Sequence, residues 1–306
     1  MTAVIASRRE ADSLRHSLGP CIAAALTDDR TTDILLNEDG RLWIDRAGGG
    51  RQDSGSTLDP DQAERALRSL ANHCGVPLTR TAPVLSATLP SGERVAGTIA
   101  PVTSRPTFAI RKPPRVTFAL DAFTAKVSKT VRAAGKSERV SGKNLALLLA
   151  AVEARRNLLI AGSTGSGKTS LLSALLAIPS VAADRMLVIE DTCELRIAAA
   201  DHVRFLTTPE VGMRDLMRLA LRYRRDRIVL GEVRSGDAAI ELIHAMNTGH
   251  CCSFCTVHAN SAQDALGRLE DLCAEVCPQP PCRSIATAIG GIVFVQRRRT
   301  AVKSRR

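Results

Sequence analysis

Gly162-Ser163-Thr164-Gly165-Ser166-Gly167-Lys168-Thr169 fits the pattern G-x-x-x-x-G-K-[ST]. Upstream, Asn157-Leu158-Leu159-Ile160-Ala161 is short and apolar enough for a buried strand. Downstream, Ser170 to Ile178 reads as a helix stopped by Pro179. Strand, loop and helix therefore agree, which argues against the competing reading of a chance glycine-rich turn. Glycines let such a backbone aim several N–H groups at phosphate oxygens, and the new helix adds its positive end. Lys168 would reach the β- and γ-phosphates, and the Thr169 hydroxyl would ligate Mg²⁺. The loop alone does not separate a kinase, a switch GTPase and a motor ATPase.

The 306 residues allow two domains, each with its own core. No apolar run reaches the length of a membrane span. Met1 to Glu10 carries arginines with no apolar stretch of signal-peptide length behind them, so a cytoplasmic protein is expected. Nine cysteines, an odd count, argue for reduced thiols. Cys252-x-x-Cys255 with Cys251, Cys273, Cys277 and Cys282 raises zinc, but the spacing is not that of paired knuckles; small buried hydrophobes are the plainer reading. The net charge of +11, with a basic tail from Gln296 to Arg306, favours acidic partners: nucleic acid, an anionic membrane surface or an acidic protein. A solvated, frayed terminus is the competing reading of the tail. Aromatics at 3% leave few stacking platforms for single-stranded nucleic acid.

Around this centre the chain divides into residues 1–111, a linker region 112–140 and residues 141–306. The first part opens with a charged helix and a short helical piece, Cys21 to Leu26. Thr32–Asn37 and Arg41–Asp45 read as a hairpin about Glu38-Asp39-Gly40. Gly48 to Ser56 reads as a flexible polar loop. Asp59-Pro60 opens a helix with Ala63, Ala66, Leu67, Leu70 and Ala71 on one face, followed by three strands ending at Arg111. Lys112-Pro113-Pro114-Arg115 suits a linker, and 116–140 short helices. Beyond residue 141, apolar strands alternate with helices, which implies a mostly parallel sheet covered on both faces.

Open α/β sheets gather ligands at the C-terminal ends of their strands. Three further segments stand there. Ile189-Glu190-Asp191-Thr192-Cys193-Glu194-Leu195 offers acids that hold Mg²⁺ through water or orient the attacking water; a capping role for Asp191 or Thr192 is the bland alternative. Ile228-Val229-Leu230-Gly231-Glu232-Val233-Arg234 resembles a Walker B strand in which Gly231 replaces the usual metal-binding Asp. That makes Glu232 the group to polarise water, with Glu190 or Asp191 near the metal; a strand-end salt bridge to Arg234 is the alternative. Thr248-Gly249-His250 and Thr256-Val257-His258-Ala259-Asn260 supply histidines, of which His258 is suited to hydrogen-bond the γ-phosphate and report hydrolysis.

Taken in order, these four motifs resemble the Walker A, Asp box, Walker B and His box of the type II/type IV secretion traffic ATPases, closest to the conjugal-transfer branch. The likeness runs from about Thr32 to Val295. It implies an α/β protein: a RecA-like P-loop domain with a mostly parallel sheet, preceded by a smaller α/β N-terminal domain. It further implies a homo-hexamer that hydrolyses ATP with Mg²⁺, peripheral on the inner membrane and working with inner-membrane components of the secretion channel. It carries Gly162 to Thr169 over as the nucleotide cradle, with Thr169 and Asp191 toward Mg²⁺. Glu190, Glu232 and His258 become the catalytic set. Two family arginines that contact phosphate match Arg94 and Arg111. Arg225 stands where relatives commonly have proline, and Cys251 and Cys252 replace the usual residues after His250. Competing readings are a type II secretion or pilus motor, a basic P-loop protein that binds nucleic acid directly, and a switch that binds nucleotide without turnover.

Overall fold

The run Leu158-Leu159-Ile160-Ala161-Gly162 becomes a central strand buried along its whole length. The computed structural model describes Leu14 and residues 17–47, 49–113, 120–123, 127–133, 136–138, 144–208, 210–247 and 252–296. It divides into two compact units, Met1–Val116 and Thr117–Arg306.

The first unit comprises α1 (Pro20–Thr27), β1 (Thr31–Leu36), β2 (Arg41–Arg46), β3 (Gly50–Thr57), α2 (Pro60–His73), β4 (Val84–Thr88), β5 (Arg94–Thr98) and β6 (Thr107–Arg111). Its six strands form one antiparallel sheet in the order β3-β2-β1-β6-β5-β4. Asp59 and Gln62 close a reciprocal capping box ahead of Pro60, and α2 buries the predicted face of Ala63, Ala66, Leu67, Leu70 and Ala71. The fit onto β5 is close: a Cβ at Gly97 would lie 2.5 Å from Leu67 Cδ1. The polar stretch expected to be a loop is instead the edge strand β3, paired with β2. Its side chains are mostly exposed, so the ladder hydrogen bonds rather than burial hold it.

The second unit opens with a 3₁₀ turn, Leu120–Phe123, then β7 (Val127–Ala133), β8 (Lys136–Glu138) and α3 (Asn144–Glu153). Of the short helices expected over 116–140, the described residues hold the one at Leu120–Phe123; the rest is a correction, since β7 joins the large sheet antiparallel to β14 and β8 pairs with β7. Next come β9 (Leu158–Gly162), α4 (Lys168–Leu176), α5 (Pro179–Ala182), β10 (Met186–Glu190), β11 (His202–Leu206), α6 (Met213–Ala220) and β12 (Arg227–Leu230). The described elements close with α7 (Gly236–Asn247), β13 (Phe254–His258), α8 (Asp264–Ala274), α9 (Cys282–Ala288) and β14 (Gly291–Val295). Pro179 does more than stop the helix after the loop; it opens the single turn α5.

The eight strands run in the order β11-β10-β12-β13-β9-β14-β7-β8, parallel from β11 through β14. Strand alternation feeds two cores. Leu159, Ala161, Leu187 and Ile189 face the cluster made with α6 to α9. Leu158, Ile160, Met186 and Val188 face the one made with α3, α4 and α5. Cys255 and Cys273 are buried among these residues, Cys252 is buried beside Arg155, and burial pushes the Cys255 thiol up to about 12.

Candidate active site

Parallel pairing fixes where the four motifs go. Gly162 at the end of β9 lies opposite His258 at the end of β13. Ile189 lies opposite Leu230, so the acids after β10 and β12 leave from the same edge. The sheet thus brings the phosphate-loop residues, Glu190, Asp191, Glu232 and His258 to one edge. His250 and the basic tail from Arg297 lie outside the described residues.

The loop has the conformation a phosphate cradle requires. Gly165 and Gly167 sit at φ 69° and 103°, left-handed backbone that glycine adopts without strain. At Gly162 a Cβ would stand 2.4 Å from the Val295 carbonyl oxygen, so the turn leaves no room for a side chain. Gly167 precedes α4, and no side chain caps that helix end. Ser163, Thr164 and Gly165 are exposed at the tip. Ser166 Oγ is buried without a hydrogen-bond partner. Lys168 is buried, and its Nζ donates to the Gly162 and Ser163 carbonyls at 2.9 and 3.1 Å. Burial holds its ammonium below the usual lysine range, with the Glu232 charge opposing and the Arg234 charge reinforcing. A desolvated cation whose bonded partners are neutral fits a ligand that brings negative charge. The orphaned Ser166 hydroxyl fits the same ligand.

Opposite the loop runs a chain of polar contacts. Lys168 Nζ is 3.3 Å from His258 Nδ1, and His258 Nε2 is 2.7 Å from Glu232 Oε1. The latter is a close approach outside hydrogen-bond alignment, so the buried Oε1 has no aligned donor. Glu232 Oε2 accepts from Arg234 Nε and Nη2 at 2.8 and 2.5 Å. Arg234 Nη1 reaches Asp191 Oδ2 at 3.3 Å, and Asp191 Oδ1 accepts from Thr207 Oγ1 at 3.1 Å. His258 titrates below the ordinary imidazole value: burial is the main cause, Lys168, Arg234 and Arg268 add to it, and Glu232 opposes it. The imidazole is therefore neutral at pH 7, which leaves Nδ1 able to accept from Lys168.

Glu190 has a different setting. It is 3% exposed, and its Oε1 accepts the backbone N–H groups of Glu194 and Leu195 at 3.0 and 2.8 Å. Arg204 Nε approaches its Oε2 at 3.2 Å, while Arg204 also donates to the Leu195 carbonyl and to Cys193 Sγ. Burial raises the Glu190 carboxyl above the usual range, against those two N–H bonds and the Arg204 charge. Glu190 thus shapes the loop that presents Asp191 and Glu194. Gly231 belongs to the same packing, since a Cβ there would lie 3.0 Å from Glu190 Cγ.

The sequence pattern undervalued three residues. In it Arg234 figures only as a salt-bridge partner, Arg204 not at all, and Glu194 only as part of a motif. The charge of Glu194 reaches both Lys168 and Arg234. The i, i+2 spacing of Glu232 and Arg234 was the one available signal. In the first unit, Arg94 and Arg111 are register partners on β5 and β6, and Arg111 Nε donates to Asp33 Oδ1 at 2.8 Å. Among the described residues, no group of three His, Cys, Asp or Glu side chains is arranged to hold a metal ion by itself.

A model of the type II/IV secretion system protein family matches residues 62–303. The chain is 37% identical to the conjugal transfer protein TrbB of Rhizobium radiobacter, over 97% of this chain and 89% of that one. It is 34% identical to the type IV secretion system protein PtlH of Bordetella pertussis, over 90% of this chain and 87% of that one. The solved structure of the ATPase DotB from Legionella pneumophila shares the fold at a TM-score of 0.58 and 18% identity, over 82% of this chain and 68% of that one. The family match takes in part of the first unit and all four motifs, and the chain belongs to the type II/IV secretion system proteins and is an ATPase of that family.

Proposed function

We propose that this chain is the ATP-hydrolysing motor of a conjugative type IV secretion apparatus. It works as a homo-hexamer on the cytoplasmic face of the inner membrane, with the inner-membrane components of the channel as its partners. The carrying observation is the chain of contacts from Glu232 through His258 to a desolvated Lys168 at the phosphate loop. A carboxylate held next to a phosphate cradle is what orienting a water for attack on the terminal phosphate requires.

Each side chain then has a task. Lys168 leaves its two carbonyl partners for the β- and γ-phosphates. Gly162, Ser163, Thr164, Gly165, Ser166 and Gly167 enclose them with backbone N–H groups, and Arg94 and Arg111 add phosphate contacts. Glu232 polarises the water, and His258 exchanges its Lys168 contact for the γ-phosphate and so reports its loss. Glu190 keeps the Asp191 loop in shape. Mg²⁺ held by Thr169, with Asp191 beside it, would offset phosphate charge, its remaining ligands being phosphate and water. The excess of positive charge favours an anionic membrane surface as the docking site.

With Mg²⁺ and ATP, the purified chain is expected to release phosphate. Lys168→Ala should lower turnover by at least ~100-fold, and equal activity in that variant would refute the assignment. Light scattering with an ATP analogue should give six times the mass of one chain; a monomer under those conditions would remove the ring.

A further inference from the structure

Arg234 touches two carboxylates that belong to different strands. Its Nε and Nη2 both serve Glu232 Oε2, beyond β12, and its Nη1 serves Asp191 Oδ2, beyond β10. The side chain is 52% exposed. At that exposure an ion pair adds little to stability. What the fork does supply is geometry, because a planar guanidinium fixes the directions of its N–H groups and an ammonium does not.

The need for such a device follows from Gly231. The strand that carries Glu232 has no second acid beside it, and Glu190 Cγ would crowd any side chain at position 231. The second carboxylate of this edge must come from the neighbouring strand, and Asp191 is held at 32% exposure by Thr207 on one oxygen and Arg234 on the other. Meanwhile Glu232 keeps its Oε2 on Arg234 and its Oε1 toward His258. One guanidinium therefore sets the carboxylate plane of Glu232 and its spacing from Asp191.

We propose that Arg234 is a positioning residue for hydrolysis: it orients Glu232 and couples it to Asp191, assembling from two strands an acid pair that β12 alone does not carry. This rests on Glu232 being the group that polarises the water. Arg234 acts through that carboxylate and not on phosphate, so its loss should slow turnover while nucleotide still binds.

Full-length Arg234→Ala, Arg234→Gln and Arg234→Lys are compared with the unsubstituted chain in three measurements: steady-state ATP hydrolysis, affinity for a fluorescent non-hydrolysable ATP analogue, and thermal melting. Arg234→Ala and Arg234→Gln should lose about 30-fold or more in kcat, as misplacement of a reacting group does, with analogue affinity within about 3-fold. Arg234→Lys, which keeps the charge without the fork, should recover only part of the rate. Asp191→Asn should cost less in the Arg234→Ala background than alone, because the coupling is already gone. Unchanged kcat in Arg234→Ala, or a weakened analogue affinity with kcat intact, would overturn the proposal. A Lys variant at full rate would overturn the role of the fork. If Arg234→Ala melts early, the Gln and Lys variants carry the comparison. Glu232→Gln separates the two layers: if it keeps full rate, the assignment of Glu232 falls and this proposal with it. If it is inactive while Arg234→Ala is active, this proposal alone falls.

Discussion

His258 sits between an ammonium and a carboxylate, and its titration reads both. Burial and the cations Lys168, Arg234 and Arg268 lower its pKa, while Glu232 raises it. Removing a cation must move it up, and removing the carboxylate must move it down. The His258 ring resonances should therefore titrate below the free imidazole value of about 6.5, higher in Lys168→Ala and lower still in Glu232→Gln. A midpoint at or above the free value, or shifts of the opposite sign, would show that the Lys168–His258–Glu232 chain does not form in solution. The two glutamates differ just as clearly. Glu190→Gln should cost about 1–3 kcal/mol in a urea unfolding experiment, because a buried charged acceptor of two backbone N–H groups is weakened. Glu232→Gln should leave the urea midpoint nearly unchanged and lower kcat by roughly 10²-fold or more. The sequence showed both acids at strand ends, but not which was buried. That depended on the Glu194 and Leu195 N–H groups and on Arg204, a partner on a strand fourteen residues further along whose pairing no local pattern announces.

At the scale of elements, legibility followed burial. Strands β9, β10 and β12 are buried along their whole length, so their uninterrupted apolar runs were visible without knowledge of neighbours. Helix α2 announced itself by its capping box and its apolar face. The edge strand β3 did not, since pairing with β2 holds it and its side chains remain in water. Strands β7 and β8 were missed for a related reason: pairing beside β14 makes them strands, and Lys129, Arg132 and Lys136 hide any apolar alternation. Helix α9 is short, with Ile285 and Ala288 as its buried residues. A different constraint holds α7 to α8. A Cβ at Gly236 would come within 2.1 Å of the Leu272 carbonyl oxygen and 3.0 Å of Val276 Cγ2. The first of these is backbone and cannot swing aside. Gly236→Ala is therefore expected to cost about 1–3 kcal/mol or more, read as a lower denaturant midpoint, even though alanine favours a helix over glycine by propensity. A stabilised variant would mean that α7 and α8 stand further apart than the fold requires.

The described residues form two units with three hydrophobic cores in all, and nucleotide binding should reveal whether both units answer to one ligand. Residues from Leu14 to Ile110 form the core of the first unit, and the clusters on the two faces of the large sheet form those of the second. The single tryptophan of the sequence, Trp43, lies in β2 and reports the first unit alone. Helical circular dichroism is weighted toward the second unit, which holds α3 to α9. A ligand that binds only the folded form stabilises what it touches by RT ln(1 + [L]/Kd), about 2.7 kcal/mol at a hundredfold excess over Kd. The phosphate loop belongs to the second unit, so a non-hydrolysable ATP analogue must raise the transition seen by circular dichroism. Whether it raises the Trp43 transition depends on Arg94 and Arg111, which face the same side of paired strands in the first unit. If they contact phosphate as proposed, both transitions rise together. In the double variant Arg94→Ala, Arg111→Ala, the Trp43 transition then returns to its unliganded position while the other stays raised. If Trp43 is indifferent to the analogue in the unsubstituted chain, phosphate is held by the second unit alone, and the two arginines must be removed from the site.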